Sequence, residues 1–253
     1  MNVAIVGYGG MGREVEKVLK DRGHTVSARI DPTQAGADAR ELTEGIARDS
    51  DVAIEFSHAG AVLENAGHYV RRGLSAVVGT TGWFDHLDEL KKILEPGKIG
   101  FLYGPNFSIG AHIFFALAAA ATELANASPE YDLMGWEIHH ARKKDSPSGT
   151  ALTLGRIVTG KSARKTKIVT ERLDRPPAPE ELHIASVRGG YEPGTHTLLV
   201  DSAFDTIELT HRARNRGGFA LGAVRAAEWL AGRTGLFEVN DFIREMLEGE
   251  RGA

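Results

Sequence analysis

The first 31 residues constrain the fold most strongly. Residues 3–6 form a continuous apolar run, typical of a parallel strand covered on both faces, and the segment Gly7-Tyr8-Gly9-Gly10-Met11-Gly12 follows at once. Apolar residues at helical spacing, a second strand-like run over residues 25–30 and an acidic residue, Asp31, come next. The order of strand, glycine turn, helix, strand and acid predicts a βαβ unit that binds a dinucleotide.

Each part of this loop has its own physical task. Gly7 permits a tight turn, Gly9 lets the backbone approach a pyrophosphate, and Gly12 allows the helix to pack closely on the strand. Asp31 can accept hydrogen bonds from ribose hydroxyls. The predicted cofactor contacts of the loop comprise Gly7, Tyr8, Gly9, Gly10, Met11 and Gly12.

The residues around Asp31 bear on the choice between NADH and NADPH. Pro32, Thr33 and Gln34 follow the acid, so no arginine stands directly after it to bind a 2′-phosphate. Arg29 is near but precedes the acid. The local chemistry therefore favours NADH as the cofactor, with NADPH as the alternative.

Strands and helices continue to alternate up to residue 102. The pattern predicts strands over residues 51–56, 75–78 and 99–102, and helices over about 59–72 and 87–94. Two polar loops, Gly79-Thr80-Thr81-Gly82 and Gly104-Pro105-Asn106-Phe107-Ser108, follow the last two strands. An open α/β sheet binds its ligand at such strand ends, although spacing alone favours a simple turn equally.

A second cluster of residues that can act in binding or catalysis lies between a strand-like run, residues 132–136, and a helical run, residues 151–158. His139 and Lys143 can exchange protons near neutral pH, given modest shifts from their surroundings. Ser148, as the helix N-cap, begins a terminus where free backbone N–H groups of Ser148, Gly149 and Thr150 suit an anion. Each residue alone is most simply structural or solvated, but the cluster indicates a site for an acidic small molecule.

Composition excludes several classes of function. The formal net charge of −4 and pI near 6.2 provide no general basic field, so we predict no nucleic-acid partner. The absence of cysteine excludes disulfides and thiolate metal sites, and no His, Asp or Glu set has metal-ligand spacing, so we predict no metal. The apolar run 113–121 is too short to span a bilayer, and the first residues lack signal-peptide features. These patterns predict a cytoplasmic protein that does not bind membranes.

After residue 108 the composition changes to an alanine-rich helix, residues 111–127. Four later runs, residues 133–138, 182–187, 195–200 and 206–211, predict a roughly four-stranded sheet with one apolar face. The charged, proline-rich segment 161–181 is typical of an extended surface loop. Helices are predicted over about 219–231 and 241–248.

The overall prediction is an α/β protein with two domains. Residues 1–107, completed by 217–253, form a Rossmann-type, doubly wound parallel sheet that binds the dinucleotide. Residues 108–216 form a second α+β domain for substrate binding and oligomerisation.

The stretch Glu137-x-His139-His140-x-x-Lys143-x-Asp145-x-Pro147-Ser148-Gly149-Thr150-Ala151 closely resembles the signature of dihydrodipicolinate reductases, also called 4-hydroxy-tetrahydrodipicolinate reductases. The resemblance implies NAD(P)H-dependent reduction of a cyclic imine dicarboxylate in bacterial lysine and diaminopimelate synthesis. This substrate forms when 4-hydroxy-tetrahydrodipicolinate loses water. Enzymes of the family are typically homotetramers.

The resemblance also implies roles for single residues. Lys143 is matched to the proton donor and His139 to its acid/base partner. The substrate-binding positions are His140, Ser148, Gly149 and Thr150. Residues 211–223 resemble a further family segment whose arginine is Arg216, which the resemblance assigns to the second carboxylate, although Arg212 and Arg214 are chemically equivalent candidates.

The two polar loops match family segments as well. Gly79, Thr80 and Thr81 correspond to a Gly-Thr-Thr-Gly segment beside the nicotinamide. An Ala-Pro-Asn-Phe-Ser-like segment over the cofactor is matched by Gly104, Pro105, Asn106 and Phe107. The chain departs from the family at Gly104, where alanine is usual, and in its first loop, which is shorter than the usual Gly-x-x-Gly-x-Met-Gly.

Two other functions fit parts of this pattern. One is a two-domain amino-acid dehydrogenase similar to 2,4-diaminopentanoate dehydrogenase, which shares the glycine loop and the general layout. Only the stretch from His139 to Thr150 distinguishes the reductase from such an enzyme. A protein that senses NADH and regulates a partner without chemistry would require neither Lys143 nor His139.

Overall fold

The computed structural model describes residues 1–43 and 45–249. The chain divides into two compact units, which we call unit 1, Met1–Ile109 with Arg216–Ala253, and unit 2, Gly110–Asn215. The boundaries expected from the sequence, 107/108 and 216/217, lie within two residues of this division.

Unit 1 is built on a six-stranded parallel sheet. Its strand order is β2-β1-β3-β4-β5-β11, so the direction of winding reverses between β1 and β3. In an open parallel sheet, this reversal creates a crevice at the carboxyl ends of the strands. The strands are β1 (Asn2–Val6), β2 (Thr25–Ile30), β3 (Val52–Glu55), β4 (Ser75–Val78), β5 (Gly100–Tyr103) and β11 (Gly235–Glu238).

Hydrophobic side chains cover both faces of this sheet. Alternation along β1 sends Ile5 into one core cluster and Ala4 and Val6 into another. Burial on both faces explains why the central strands are continuous apolar runs. The helices of unit 1 are α1 (Gly10–Asp21), α2 (Val62–Arg72), α3 (Leu87–Leu94), α6 (Gly217–Leu230) and α7 (Val239–Glu248), with short 3-10 turns at Ala59–Ala61 and Phe84–His86.

Two details of unit 1 differ from the sequence prediction. The helix expected from residue 59 begins as a 3-10 turn and becomes α-helical at Val62. Strand β11 is absent from the prediction, because the glycines at 232 and 235 indicate only the end of the preceding helix. This strand is four residues long and pairs in parallel with β5 at the sheet edge, so it has little apolar periodicity.

Unit 2 contains a mixed sheet of five strands in the order β10-β9-β6-β8-β7. Strand β6 is antiparallel to β9 and parallel to β8. The strands are β6 (Asp132–His139), β7 (Lys167–Val169), β8 (Glu181–Arg188), β9 (Thr195–Asp201) and β10 (Thr206–Arg212). Helices α4 (Ile109–Ala125) and α5 (Gly149–Lys161) complete the architecture.

The predicted four-stranded sheet is one strand short, because β7 lies in the charged segment that the sequence predicts as a surface loop. Lys167 is exposed, but Ile168 packs against the core of unit 2 and Val169 is buried. A methyl group on Gly155 of α5 would lie 2.8 Å from the Ile168 side chain. A three-residue strand is too short to show a period, so tertiary packing determines it.

One face of this sheet forms the core of unit 2 against α4 and α5. Leu133, Ile184 and Leu198 pack there with Phe114 and Leu154. Side chains of alternate residues point to the opposite face. Among the described residues, no helix combines the length and apolar character needed to cross a lipid bilayer.

We expect Gly222→Ala to destabilise unit 1, because a Cβ at this position of α6 would lie 1.7 Å from the Phe107 carbonyl oxygen. Overpacking against rigid backbone costs about 1–3 kcal/mol, so the urea midpoint measured by circular dichroism should fall. Gly67→Ala in α2 is the matched control, since its Cβ would meet only the flexible tip of Arg71, at 3.3 Å. Equal midpoints for the two variants would contradict the close approach.

Candidate active site

The glycine loop of unit 1 leaves the start of α1 accessible. Gly7 has φ +88°, and a side chain there would also collide with the Phe56 carbonyl oxygen at 2.2 Å. A Cβ at Gly12 would lie 2.2 Å from the Gly7 carbonyl oxygen, so α1 packs directly on the turn. Gly9 is the N-cap, with no heavy atom of the described chain within 4 Å of its would-be Cβ. The loop therefore allows an anion to approach the helix N-terminus.

Tyr8 contributes to this loop in a different way. Its side chain is buried beneath the Arg13 guanidinium, 4.7 Å from the ring centroid, and its hydroxyl donates to Glu16. Its backbone N–H donates to Asp31 Oδ2 at 2.9 Å. Met11 packs, partly buried, against the core of unit 1. The side chain of Tyr8 thus braces the loop and does not line the cavity described below.

Asp31 organises the turn after β2 and retains one acceptor position. Oδ1 accepts from the Thr33 amide at 2.9 Å, the Thr33 hydroxyl at 3.0 Å and the Gln34 amide at 3.0 Å. Burial raises the pKa of Asp31, but the hydrogen bonds from Thr33, Gln34 and Tyr8 outweigh it and lower the pKa overall. The carboxylate is ionised at neutral pH, and Oδ2 can accept one further hydroxyl.

Arg29, the cation nearest Asp31 in sequence, is already engaged. Its Nη2 lies 2.7 Å from Glu16 Oε1, and its Nη1 lies 3.2 Å from Asp38 Oδ2. These two carboxylates neutralise its charge, so it offers little attraction to an additional phosphate.

A cavity of about 700 Å³ opens beside the glycine loop. Gly7, Gly9 and Asp31 line it, as expected for a nucleotide site. Its other walls are not predicted from the sequence. They come from the ends of β3 and α2 and the segment after β2: Thr33, Arg40, Phe56, Ser57, His58, Asn65 and His68.

A buried carboxylate holds part of this wall. Glu55 is fully buried at the end of β3 and accepts from the Ser57 hydroxyl, from Asn65 Nδ2 at 2.9 Å and from the Tyr69 hydroxyl at 2.7 Å. Burial raises the pKa of Glu55, and these hydrogen bonds oppose the rise. The cluster fixes the orientation of Ser57 and Asn65, both of which line the cavity.

The loop after β4 packs closely on the end of β3. A Cβ at Gly79 would lie 2.1 Å from the Phe56 ring. Thr80 is buried, and its hydroxyl oxygen accepts from the Ser57 amide at 2.8 Å, whereas Thr81 is exposed. The Trp83 indole donates to the Thr80 carbonyl at 2.8 Å. These contacts place the Gly79–Thr81 loop at the carboxyl edge of the sheet.

The loop after β5 lies at the same edge and explains one departure from the family pattern. A methyl group on Gly104 would lie 2.5 Å from Val239 Cβ, so alanine does not fit here. Pro105 is exposed, and Asn106 Oδ1 accepts from the Ser108 amide at 2.8 Å. The Phe107 ring is buried and makes an edge contact with Phe56, with centroids 6.3 Å apart.

Arg216 belongs to unit 1, at the N-cap of α6. A Cβ built on Gly10 would lie 2.3 Å from Arg216 Nη1, so the guanidinium rests on the first residue of α1. Its guanidinium therefore lies at the N-terminus of α1 within unit 1. Arg212 and Arg214 lie in unit 2.

The buried carboxylate of Glu137 is the centre of the site in unit 2. Its Oε1 accepts from Arg188 Nη2 at 2.6 Å, the Ser186 hydroxyl at 2.8 Å and the Ser148 amide at 2.9 Å. Its Oε2 lies 2.8 Å from His139 Nδ1. Burial alone would raise its pKa, but the donors from Ser148, Arg188 and Ser186 outweigh burial and lower the pKa to about 2. Glu137 is therefore a permanent negative charge.

His139 is held against this charge at the end of β6. The His139 ring is turned so that its contact with Glu137 is electrostatic and not an aligned hydrogen bond. Burial lowers the pKa of His139, Glu137 raises it, and Lys143 and Arg188 lower it. A Cβ on Gly194 would lie 2.9 Å from His139 Nε2, so a glycine is needed where the chain passes this nitrogen.

Pairing of β6 with β9 brings a second histidine, His196, to this site, although it lies far from His139 in the sequence. Glu137 and His196 face each other across β6 and β9, and His196 Nε2 lies 3.1 Å from Ser148 Oγ and 3.6 Å from Glu137 Oε2. Burial, followed by the proximity of His139, lowers the pKa of His196 to about 4. His196 is neutral at physiological pH.

No His, Asp or Glu set has metal-ligand spacing along the sequence, yet the fold brings such a set together. Within the described part of the chain, Glu137, His139 and His196 place one ligand atom each within 4.8 Å of the others. Arg188 already binds the same carboxylate at 2.6 Å, and Lys143 lowers the pKa of His139. These positive charges oppose a cation, so the arrangement suits proton transfer better than metal binding.

Lys143 lies in the loop between β6 and α5 and forms an ion pair with Asp145. Its Nζ is 2.8 Å from Asp145 Oδ1. Arg188 Nη2 also donates to the Asp145 carbonyl oxygen, at 2.8 Å. Arg188 thereby links the Lys143 loop to Glu137 and His139. Sequence spacing carries no signal of this role, because Arg188 lies on β8, far along the chain.

Ser148 caps α5 as predicted, but its backbone N–H is not free as expected, because it donates to Glu137 Oε1 at 2.9 Å. Ser148 is the N-cap, and its hydroxyl oxygen accepts from the Ala151 amide at 3.1 Å. Gly149 is exposed and Thr150 is half-buried, so both are accessible to a ligand. His140 is half-buried, and its backbone N–H donates to the Glu192 carbonyl at 2.8 Å. This backbone contact anchors the residue that follows β6.

Comparisons with known proteins show the family of the chain. The family model described as "Dihydrodipicolinate reductase, N-terminus" matches residues 1–107, and the one described as "Dihydrodipicolinate reductase, C-terminus" matches residues 110–243. The 4-hydroxy-tetrahydrodipicolinate reductase of Christiangramia forsetii is 35% identical over 248 residues, covering 98% of this chain and 100% of the relative. The relative of the same name from Archaeoglobus fulgidus is 36% identical over 262 residues, covering 96% of this chain and 100% of its own.

A solved structure supports the fold. The dipicolinate-bound dihydrodipicolinate reductase of Paenisporosarcina sp. TG-14 superposes with a TM-score of 0.74 at 23% identity, covering 94% of this chain and 97% of that one. The Rossmann-type sheet, the glycine loop and the cluster of ionisable side chains around Glu137 are those of a nicotinamide-dependent oxidoreductase. More specifically, the chain belongs to the dihydrodipicolinate reductase family.

The charges around His139 predict opposite effects of two substitutions on its pKa. Glu137→Gln removes a negative charge that stabilises the imidazolium, so the pKa of His139 should fall. Lys143→Met removes a positive charge that destabilises it, so the pKa should rise. An NMR titration of the imidazole resonances measures both shifts.

Asp201→Asn is the control for this titration, because Asp201 lies at the end of β9 remote from His139. It should leave the His139 titration unchanged. Shifts of the same sign in the Glu137 and Lys143 variants would contradict the arrangement of charges.

Proposed function

We propose that the protein is a 4-hydroxy-tetrahydrodipicolinate reductase of lysine and diaminopimelate synthesis. The reaction consumes one NAD(P)H and one proton, releases water from the 4-hydroxy substrate and yields tetrahydrodipicolinate. The bound nicotinamide supplies the hydride. Family membership supports the reaction, and the relatives named above carry the same activity in their names.

One observation in the structure carries this proposal. The buried Glu137 contacts both His139 and the amide of Ser148, and Arg188 connects it to the loop that holds Lys143. Proton-exchanging side chains and a helix start suited to a carboxylate are therefore parts of one network. A regulatory NADH-binding protein would not need this combination.

In unit 1, we propose that the glycine loop holds the dinucleotide. The open space at Gly9 and the start of α1 suits the diphosphate, with Gly10, Met11 and Gly12 shaping the first helical turn. Asp31 accepts from a ribose hydroxyl. Arg216, resting on Gly10, fits the diphosphate charge better than the substrate. The loops Gly79–Thr81 and 104–107 form the remaining edge of the nucleotide site.

In unit 2, we propose that the start of α5 binds one substrate carboxylate through the amides of Gly149 and Thr150. Ser148 shapes this terminus as its cap, and His140 contacts the substrate ring. Hydride addition leaves electron density on the ring, which requires a proton. Lys143 donates it, while His139, oriented by Glu137, serves as the acid/base partner.

We propose that NADH is preferred over NADPH. Asp31 is ionised, and its negative charge opposes a 2′-phosphate, while Arg29 is neutralised by Glu16 and Asp38. Arg40 is the competing feature, since this exposed cation also lines the cavity.

We also propose that the protein is a cytoplasmic homotetramer. The sheet face of unit 2 opposite α4 and α5 presents Met134, Trp136 and Ile138, all half-buried, with Leu199 and the 50% exposed Val187. An apolar sheet face of this kind supports self-association through unit 2. The cytoplasm is the compartment in which a reaction of lysine synthesis would draw on reduced nicotinamide.

The test of the proposed function is a coupled assay that supplies freshly formed 4-hydroxy-tetrahydrodipicolinate and follows cofactor oxidation with NADH and with NADPH. We expect substrate-dependent loss of absorbance with at least one of the two. No oxidation with either nucleotide would refute the proposal.

In this assay, Lys143→Ala should lower kcat by roughly tenfold to a thousandfold, because a general acid is lost. Thr150→Val should chiefly raise KM, because the Thr150 hydroxyl is lost as a second donor to the carboxylate, while the backbone amides and the proton donor remain. The two variants together separate chemistry from binding. An unchanged kcat in Lys143→Ala would exclude the proton-donor role.

Binding measurements test the cofactor preference. NADH should bind at least about tenfold more tightly than NADPH, equivalent to about 1.4 kcal/mol, when each is titrated into the protein calorimetrically. Asp31→Asn should narrow this ratio, because it removes the charge that repels the 2′-phosphate. If NADPH binds the unaltered protein as tightly as NADH, the proposed preference is wrong. Weaker NADPH binding in Arg40→Ala would then identify Arg40 as the residue that binds the 2′-phosphate.

A further inference from the structure

The carboxylate of Asp145 contacts two groups that the proposed function assigns to the substrate, the proton donor Lys143 and the backbone N–H of Gly149. Lys143 Nζ lies 2.8 Å from Asp145 Oδ1. The hydrogen bond and charge of Lys143 lower the pKa of Asp145, and the backbone N–H of Gly149 contributes in the same direction. The proton donor and the helix start are therefore both turned towards a carboxylate that belongs to the chain itself.

The exposure of this pair allows it to open. The Asp145 side chain is 57% exposed and that of Lys143 is 22% exposed. Ion pairs of such exposure are weak, because water and dissolved ions compete with them. A dianionic ligand that meets the ammonium and the helix start together can displace a single side-chain carboxylate.

The backbone of Asp145 is anchored by contacts that its side chain does not share. Arg188 Nη2 donates to the Asp145 carbonyl oxygen at 2.8 Å and to Glu137 Oε1 at 2.6 Å. Rotation of the Asp145 side chain leaves both contacts intact. Displacement of the carboxylate therefore does not require the loop to unfold or the Glu137 network to break.

We propose that Asp145 is a positioning residue that stands in for the substrate carboxylate before substrate binds. It holds the Lys143 ammonium towards the start of α5, and the arriving dicarboxylate must displace it. Asp145 thus keeps the proton donor oriented in the free protein and reduces the affinity for carboxylate ligands. The inference rests on the proposed function, because it assumes that Lys143 and Gly149 both contact the dicarboxylate substrate.

The test is calorimetric titration of the full chain, with saturating NADH, using dipicolinate as the probe. Asp145→Asn keeps the shape and the backbone carbonyl but removes the competing charge, so dipicolinate should bind about threefold to tenfold more tightly. The KM in the coupled assay should fall by a similar factor. Asp145→Glu retains the charge and should show no such gain.

Asp174→Asn is the matched control, because it makes the same change of charge at an exposed position of the same unit. It should leave dipicolinate affinity unchanged, and thermal midpoints of all variants report whether folding is intact. Unchanged or weaker binding in Asp145→Asn would overturn the inference and leave the proposed function standing. Failure of the unaltered protein to bind dipicolinate would overturn both.

Discussion

The candidate active site depends on one buried charge. Glu137 lies inside unit 2 without solvent exposure, where an isolated carboxylate would be strongly destabilised. Arg188, Ser186 and the Ser148 amide compensate for its burial and keep it ionised. The charge of Glu137 also holds His139 at the end of β6 and Ser148 immediately before α5. The requirement to satisfy one buried group thus brings together residues from β6, β8 and the start of α5.

The candidate nucleotide site of unit 1 is assembled by a different rule. Its residues gather because parallel strands present their carboxyl ends at a common edge. Gly7, Asp31, Phe56 and the Gly79–Thr81 loop each follow a strand of the same sheet. Steric limits then determine the residue types, since a side chain at Gly7, Gly12 or Gly79 would collide with backbone or with an aromatic ring. Local chain geometry is sufficient to indicate such a site.

This difference explains which parts of the molecule could be predicted. The βαβ unit, the cap at Ser148 and the position of the His139–Thr150 stretch were accessible, because each is encoded by residues close together in the chain. The metal-ligand geometry of Glu137, His139 and His196, and the link through Arg188, were not accessible, because they arise from pairing of β6 with strands that lie far along the chain. Strands β7 and β11 were missed because such short strands show no period.

The amino-acid sequence by itself determined the parallel α/β fold of unit 1, the mixed sheet of unit 2 in outline and the family to which the chain belongs. Local patterns carry this information, because hydrophobic period, glycine turns and caps act over a few residues. Only the tertiary structure decided that Arg216 rests on Gly10, that Arg188 joins the Lys143 loop to Glu137 and that Asp145 pairs with Lys143. The contacts of Arg216 and Arg188 join long side chains to residues far away in the sequence. Packing and charge balance determine which residues meet, and the spacing of residues along the chain does not indicate them.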